Sequence, residues 1–106
     1  MNVIIQENRL VLQPQTDLIA SHIEALREAV LAEMKKYPGV IGIVVDASGI
    51  EIVDSLGVNL IIGIYRQSAA ESKTFEIINA EEKFIKVARF FRFYSLFSIN
   101  GEAQNS

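Results

Sequence analysis

Apolar and polar residues fall in short blocks along this chain, and the period of the blocks changes several times. Val3 to Glu7 and Leu10 to Leu12 have the length and the β-branched content of strands. Glu7-Asn8-Arg9 between them is the length of a tight hairpin turn. Pro14 ends the second strand, because proline has no amide hydrogen to offer a ladder. From Asp17 to Lys36 the period becomes helical: Ile19, Ile23, Leu26, Val30 and Met34 share one face and charges occupy the other. Pro38-Gly39 stops that helix. Val40 to Val45 is an unbroken apolar run, the pattern of a strand covered on both faces in a parallel sheet.

A loop follows from Asp46 to Val53, and a second helix is expected from about Ser55 to Ser72. Val58, Ile61, Ile62, Tyr65 and Ala69 form its core stripe. Leu56, Leu60 and Ile64 make an extra ridge. It either packs on neighbouring helices or offers its first turn to a partner. Gly57 and Gly63 flatten parts of that surface. Thr74 to Ile78 reads as a strand, and Asn79 with Glu82 as a capping pair opening a third helix that reaches Phe91. Phe97 to Ile99 reads as a last short strand. The rings of Phe90, Phe91, Phe93, Tyr94 and Phe97 are expected in the core. The polar stretch from Asn100 to Ser106 is expected to fray.

This order of elements predicts an α/β fold. Its sheet is mixed, with an antiparallel hairpin first and parallel strands joined by right-handed crossovers after it, and helices cover mainly one face. A length of 106 residues, half of them apolar, fits a single domain with a core of its own. The chain has no cysteine, which excludes disulfides and thiol chemistry. No apolar run approaches the ~20 residues of a bilayer span, and the amino-terminal residues lack the pattern of a signal peptide. The net charge of −3, with no basic block larger than Lys35-Lys36, argues against nucleic acid as a partner.

Catalysis finds little support in the residues. His22 is the only histidine and reads as an exposed helix residue beside Ser21 and Glu24. No glycine-rich phosphate loop and no metal-ligand cluster is present, so no cofactor is expected. Glu81-Glu82 are ordinary partners for a helix dipole.

The segment Val53-Asp54-Ser55-Leu56-Gly57-Val58 places a serine where a loop opens a helix. Free amides and the positive end of the dipole meet there. Asp54 or Ser55 could serve only as the cap. Alternatively, Ser55 accepts a phosphate. The added charge of about −1.5 to −2 would rest on the helix amides and repel whatever docks over that end, with Asp46 and Asp54 adding negative charge nearby.

The stretch from Val44 to Ile61 resembles the STAS domains, and within them the anti-sigma factor antagonists. The family pattern is a strand ending in Asp, a short loop, then Asp-Ser-(Ser or Thr)-Gly opening an aliphatic helix. Here it reads Val44-Val45-Asp46, then Asp54-Ser55-Leu56-Gly57. Ile77-Ile78-Asn79 and Leu96-Phe97-Ser98-Ile99 also match family positions. Leu56 replaces the second hydroxyl, and the early Gly-x-Leu-Asp pattern survives only as Gln15-Thr16-Asp17-Leu18.

The resemblance implies a four- or five-stranded mixed sheet with helices on one side, in a cytoplasmic bacterial protein. It also implies partner switching in transcription regulation. An anti-sigma factor that is itself an ATP-using serine kinase binds the unmodified protein, phosphorylation at Ser55 separates them, and a phosphatase resets the system. Carried over residue by residue, the docking surface would comprise Asp17, Asp46, Asp54, Ser55, Leu56, Gly57, Asn59 and Leu60 of a monomer or weak dimer. A second reading is a structural STAS subunit of a signalling scaffold or lipid-transport complex. A third, a receiver-like domain phosphorylated on Asp46, lacks the acidic pair after the first strand that Mg²⁺ would need, since Val3-Ile4-Ile5-Gln6-Glu7-Asn8 holds one acid.

Overall fold

The computed structural model describes residues 1–101. Of the stretch expected to fray, Asn100 and Gly101 belong to a strand, and residues 102–106 lie outside the described residues. Strands β1 (Asn2–Gln6) and β2 (Arg9–Gln13) form the hairpin. Glu7 and Asn8 make its two-residue turn, both with left-handed φ (52° and 60°), as a type I′ turn requires. Helix α1 (Ala20–Lys36), strand β3 (Gly42–Asp46), helix α2 (Ser55–Ala70), strand β4 (Thr74–Ala80), helix α3 (Glu82–Phe90), a 3₁₀ turn (Phe93–Ser95) and strand β5 (Ser98–Gly101) follow.

The sheet has the order β1-β2-β3-β4-β5, antiparallel in its first pairing and parallel in the other three. This is the mixed sheet that the sequence predicts. The order also differs from the doubly wound arrangement of receiver domains, in which the first strand lies inside the sheet.

Side chains of alternate strand residues point to one face. On one face Leu10, Leu12, Ile43, Val45, Phe75 and Ile77 join Ile23, Leu26, Val30 and Met34 of α1 and Phe84, Ile85 and Ala88 of α3 in a single core. Val11 and Val44 lie on the other face, beside Arg9, Glu76 and Ile78, and are buried by those neighbouring side chains rather than by a helix. The central strand β3 is accordingly buried at all five positions.

Four expectations need correction. Helix α1 begins at Ala20, not Asp17, because Leu18 pairs in parallel with Val53 and Ile19 after it is still extended. The core stripe of α2 is rotated: Gly57, Val58, Leu60, Ile61, Ile64 and Ser68 are buried, Ile62 and Tyr65 are half-buried and Ala69 is exposed. The supposed extra ridge is therefore largely core, since Leu60 and Ile64 face Val30 and Met34 of α1 and only Leu56 is left outside. Asn79 does not cap α3. Glu81 holds the cap position without a side-chain bond, while Asn79 sits with φ 55° at a shift in the β4–β5 register. Finally, only Phe93 and Phe97 of the aromatic cluster are buried; Phe97 packs on Phe75 with centroids 4.7 Å apart. Phe90 is 79% exposed, on the face of α3 away from its buried Phe84, Ile85 and Ala88, and Phe91 and Tyr94 are exposed with it.

Candidate functional site

Two segments far apart in sequence meet at the amino ends of α1 and α2. The Leu18 N–H donates to the Ile52 carbonyl at 2.9 Å and the Asp54 N–H donates to the Leu18 carbonyl at 3.1 Å. Asp17 Oδ1 accepts from the backbone N–H groups of Glu51 (3.1 Å) and Ile52 (3.0 Å). Those Ile52 and Glu51 bonds hold the Asp17 carboxyl below its ordinary pKa.

Asp54 is the cap of α2: its Oδ1 accepts from Gly57 N–H at 2.9 Å. Its other oxygen, Oδ2, accepts from Ala20 N–H at 2.8 Å, the first residue of α1. Ile19, in the cap position of α1, supplies no side-chain bond of its own. One carboxylate thus satisfies an otherwise unpaired amide at the start of each helix. The bonds from Gly57 and then Ala20 lower the Asp54 pKa. This double role is invisible in the sequence, because the second donor lies 34 residues away.

Ser55 follows as the first residue of α2, exposed, and among the described residues its hydroxyl makes no hydrogen bond. Asp54 has already taken the Gly57 amide, so a phosphate on Ser55 would meet a carboxylate beside it and not an empty nest of N–H groups. Added negative charge here adds to that of Asp17, Glu51 and Asp54, of which Glu51 is paired with Lys83 Nζ at 3.6 Å.

The remaining candidates divide. Leu56 (44% exposed) and Asn59 are open to a partner on the first turns of α2. Leu60, at 5% exposed, is core and out of a partner's reach. Gly57 is buried too: a Cβ there would come within 2.2 Å of the Leu18 carbonyl oxygen and 2.9 Å of Val53 Cγ1. The glycine is what lets α2 approach the Leu18 backbone closely, so it shapes the site from beneath.

Asp46, at 6% exposed, is also internal. Burial pushes its pKa up, but the hydrogen bonds from Ser48 N–H, Ser48 Oγ, Gln13 and Asn79 outweigh burial and hold it below the ordinary value. It anchors the end of β3 and the loop that leads to Ser55. Asn79, with its left-handed φ of 55°, spends its side-chain amide on Asp46 at 3.2 Å rather than on the start of α3. Ile52, 54% exposed and close before Leu56 in sequence, is a surface residue that the sequence pattern did not mark. Nothing in the sequence separated it from its loop neighbours Ala47 and Ile50, which are buried.

His22 is half-buried rather than exposed, its Nδ1 2.9 Å from the Asp17 carbonyl and 3.2 Å from Thr16 Oγ1. It braces the turn before α1. Among the described residues no three or more His, Cys, Asp or Glu side chains gather as a metal-binding group, and no helix is long and apolar enough to cross a membrane.

The family model described as "Mlab, STAS domain" matches residues 1–97. No curated protein matches the chain. Among solved structures, protein TM1081 of Thermotoga maritima is 19% identical with a TM-score of 0.84, covering 98% of this chain and 88% of that one. The Bacillus anti-sigma factor antagonist SpoIIAA in its unphosphorylated form is 17% identical with a TM-score of 0.69, over 98% and 91%. A chain of the stressosome, a signal integration and transduction hub, is 18% identical with a TM-score of 0.71, over 97% and 90%. At these identities the likeness is one of fold. The family match over nearly the whole chain carries more: this chain belongs to the STAS domain family.

Proposed function

We propose that the chain is an anti-sigma factor antagonist-like protein. Its exposed surface at the start of α2, formed by Ile52, Ser55, Leu56 and Asn59, docks an anti-sigma factor that is also a serine kinase. Phosphorylation of Ser55 ends the contact, and a phosphatase restores it. The observation that carries this reading is the Ser55 hydroxyl, which is exposed, unengaged among the described residues and flanked by two exposed aliphatic side chains. A phosphate adds about −1.5 to −2 charge to a patch where Asp17, Glu51 and Asp54 already stand. An apolar or acidic partner surface is then repelled, while the fold beneath is held by Asp54, Asp17 and the Leu18–Val53 pairing. SpoIIAA, which shares the fold, has been solved both phosphorylated and unphosphorylated.

The role is that of a binding protein without catalysis of its own. A second reading, a structural STAS subunit of a signalling scaffold or lipid-transport complex, is favoured by two observations. The family model is described as Mlab, and a stressosome chain shares the fold. Leu56 in place of a second hydroxyl fits either reading.

Incubation of the purified chain with its cognate kinase and ATP, followed by phosphopeptide mass spectrometry, tests the first reading. Label is expected on Ser55 and absent from Ser55→Ala, which keeps partner binding. Label on another residue with Ser55 untouched ends the proposal. Native mass spectrometry of complexes drawn from cells separates the rivals: an anti-sigma kinase supports the first, and a transporter or large symmetric assembly the second.

A further inference from the structure

Strand β1 is an edge of the sheet and hydrogen-bonds only to β2 among the described residues. Edge strands are usually protected by charge, proline, bulges or a covering element. The segment Asn2-Val3-Ile4-Ile5-Gln6 has no charge and no proline, and it pairs with β2 without a break in register. Ile4 (45% exposed) and Ile5 (44% exposed) lie on opposite faces of it.

The free backbone groups of this edge can be identified. Gln6 and Arg9 close a two-residue turn, so they exchange hydrogen bonds as a pair. Alternation then makes Ile4↔Val11 and Asn2↔Gln13 hydrogen-bonded pairs as well. The amide and carbonyl groups of Val3 and Ile5 therefore point outward, away from β2.

The order of side chains is self-complementary. In an antiparallel pairing of β1 with a second β1 centred on Ile4, Asn2 faces Gln6, Val3 faces Ile5 and Ile4 faces Ile4. Amide meets amide and aliphatic meets aliphatic at every position. The outward groups of Val3 and Ile5 supply the hydrogen bonds on both sides of the axis, and Ile4 falls in the close, non-hydrogen-bonded position. On the face away from the helices the register Ile4↔Val11↔Val44 would continue through the axis as one apolar row shared by two sheets.

We infer that β1 is a homodimer interface: two copies join their sheets edge to edge through β1, about a two-fold axis at Ile4. The pairing is isologous and closes on itself, so it stops at two copies. A pair of five-residue strands buries well under the ~1,200 Å² of a stable complex, so the dimer is weak, on the order of 0.1–1 mM. This surface is built from β1 alone and does not depend on the role of Ser55.

Sedimentation velocity from about 10 µM to about 1 mM reads the association directly. The weight-average sedimentation coefficient is expected to rise toward that of a dimer. Ile4→Lys sets two like charges opposite each other on the axis and is expected to weaken the dimer at least tenfold, with circular dichroism verifying its fold. Because the chain has no cysteine of its own, Ile4→Cys gives a single thiol on the axis, at the Cα spacing that a disulfide accepts. Mild oxidation is expected to link that variant as a dimer much faster than Leu31→Cys, placed at an exposed site of α1. A wild-type monomer throughout, unchanged association of Ile4→Lys, or equal linking of the two cysteine variants overturns the inference, whatever other strand the edge accepts.

Discussion

Two glycines of α2 make a prediction with opposite signs. Glycine in a helix interior costs about 1 kcal/mol relative to alanine, so propensity alone makes both Gly57→Ala and Gly63→Ala stabilising. At Gly63 a Cβ meets nothing within 4 Å, and the full gain of about 0.5–1 kcal/mol is expected. At Gly57 the Cβ would come within 2.2 Å of Leu18 O and 2.8 Å of Leu18 Cβ. Neither neighbour yields easily. Leu18 is buried, and its carbonyl accepts the Asp54 N–H that ties the two helix starts together. Overpacking of this kind typically costs about 1–3 kcal/mol, and a backbone obstacle places it at or beyond the top of that range. After the propensity gain is subtracted, Gly57→Ala should lose about 2 kcal/mol. Thermal melts of both variants give the answer, at about 4–8 °C per kcal/mol for a chain of this size. Gly57→Ala should melt about 10 °C below the wild type and Gly63→Ala several degrees above it. If both variants melt higher by the same amount, the close approach of α2 to the Leu18 backbone is refuted.

Asp54→Ala should speed amide hydrogen exchange at Ala20 and Gly57 together, 37 residues apart in sequence, because one carboxylate accepts from both; exchange followed by nuclear magnetic resonance would refute the shared cap if only the α2 amide responded. The pKa of Asp46 is lowered in the fold, so the unfolded chain binds more protons in acid and the stabilisation present above the ordinary value of 3.8 is lost as pH falls through the folded value. Asp46→Asn should therefore flatten the dependence of stability on pH below about 4, as measured by urea titrations at several acid pH values; an unchanged slope would contradict the hydrogen-bonded carboxylate.

Periodicity alone was enough for the order of elements and for the face that α1 buries. Ile23, Leu26, Val30 and Met34 repeat at helical spacing, and no other arrangement hides all four. The hairpin was equally legible, since Glu7-Asn8 between two aliphatic runs leaves little room for another connection. The serine at the start of α2 was visible for the same local reason. These are features in which residues a few positions apart decide the outcome.

Which face of α2 is buried required the neighbours. The helix is aliphatic nearly all round, so Ile61 and Ile64 or Ile62 and Tyr65 were equally good stripes until α1 settled beside it. The aromatic run after α3 posed the same problem, because hydrophobicity says that rings bury but not which rings a short turn can bring home. The chemistry of the carboxylates was decided furthest from the local sequence. Asp17, Asp46 and Asp54 looked alike as acids, and each takes at least one partner 33 to 35 residues away, from a segment that only the parallel crossovers bring close. Hydrogen bonding is short-ranged and directional, so a sequence can place a distant donor and acceptor in the same chain, but only the packed sheet and helices put them within 3 Å of each other.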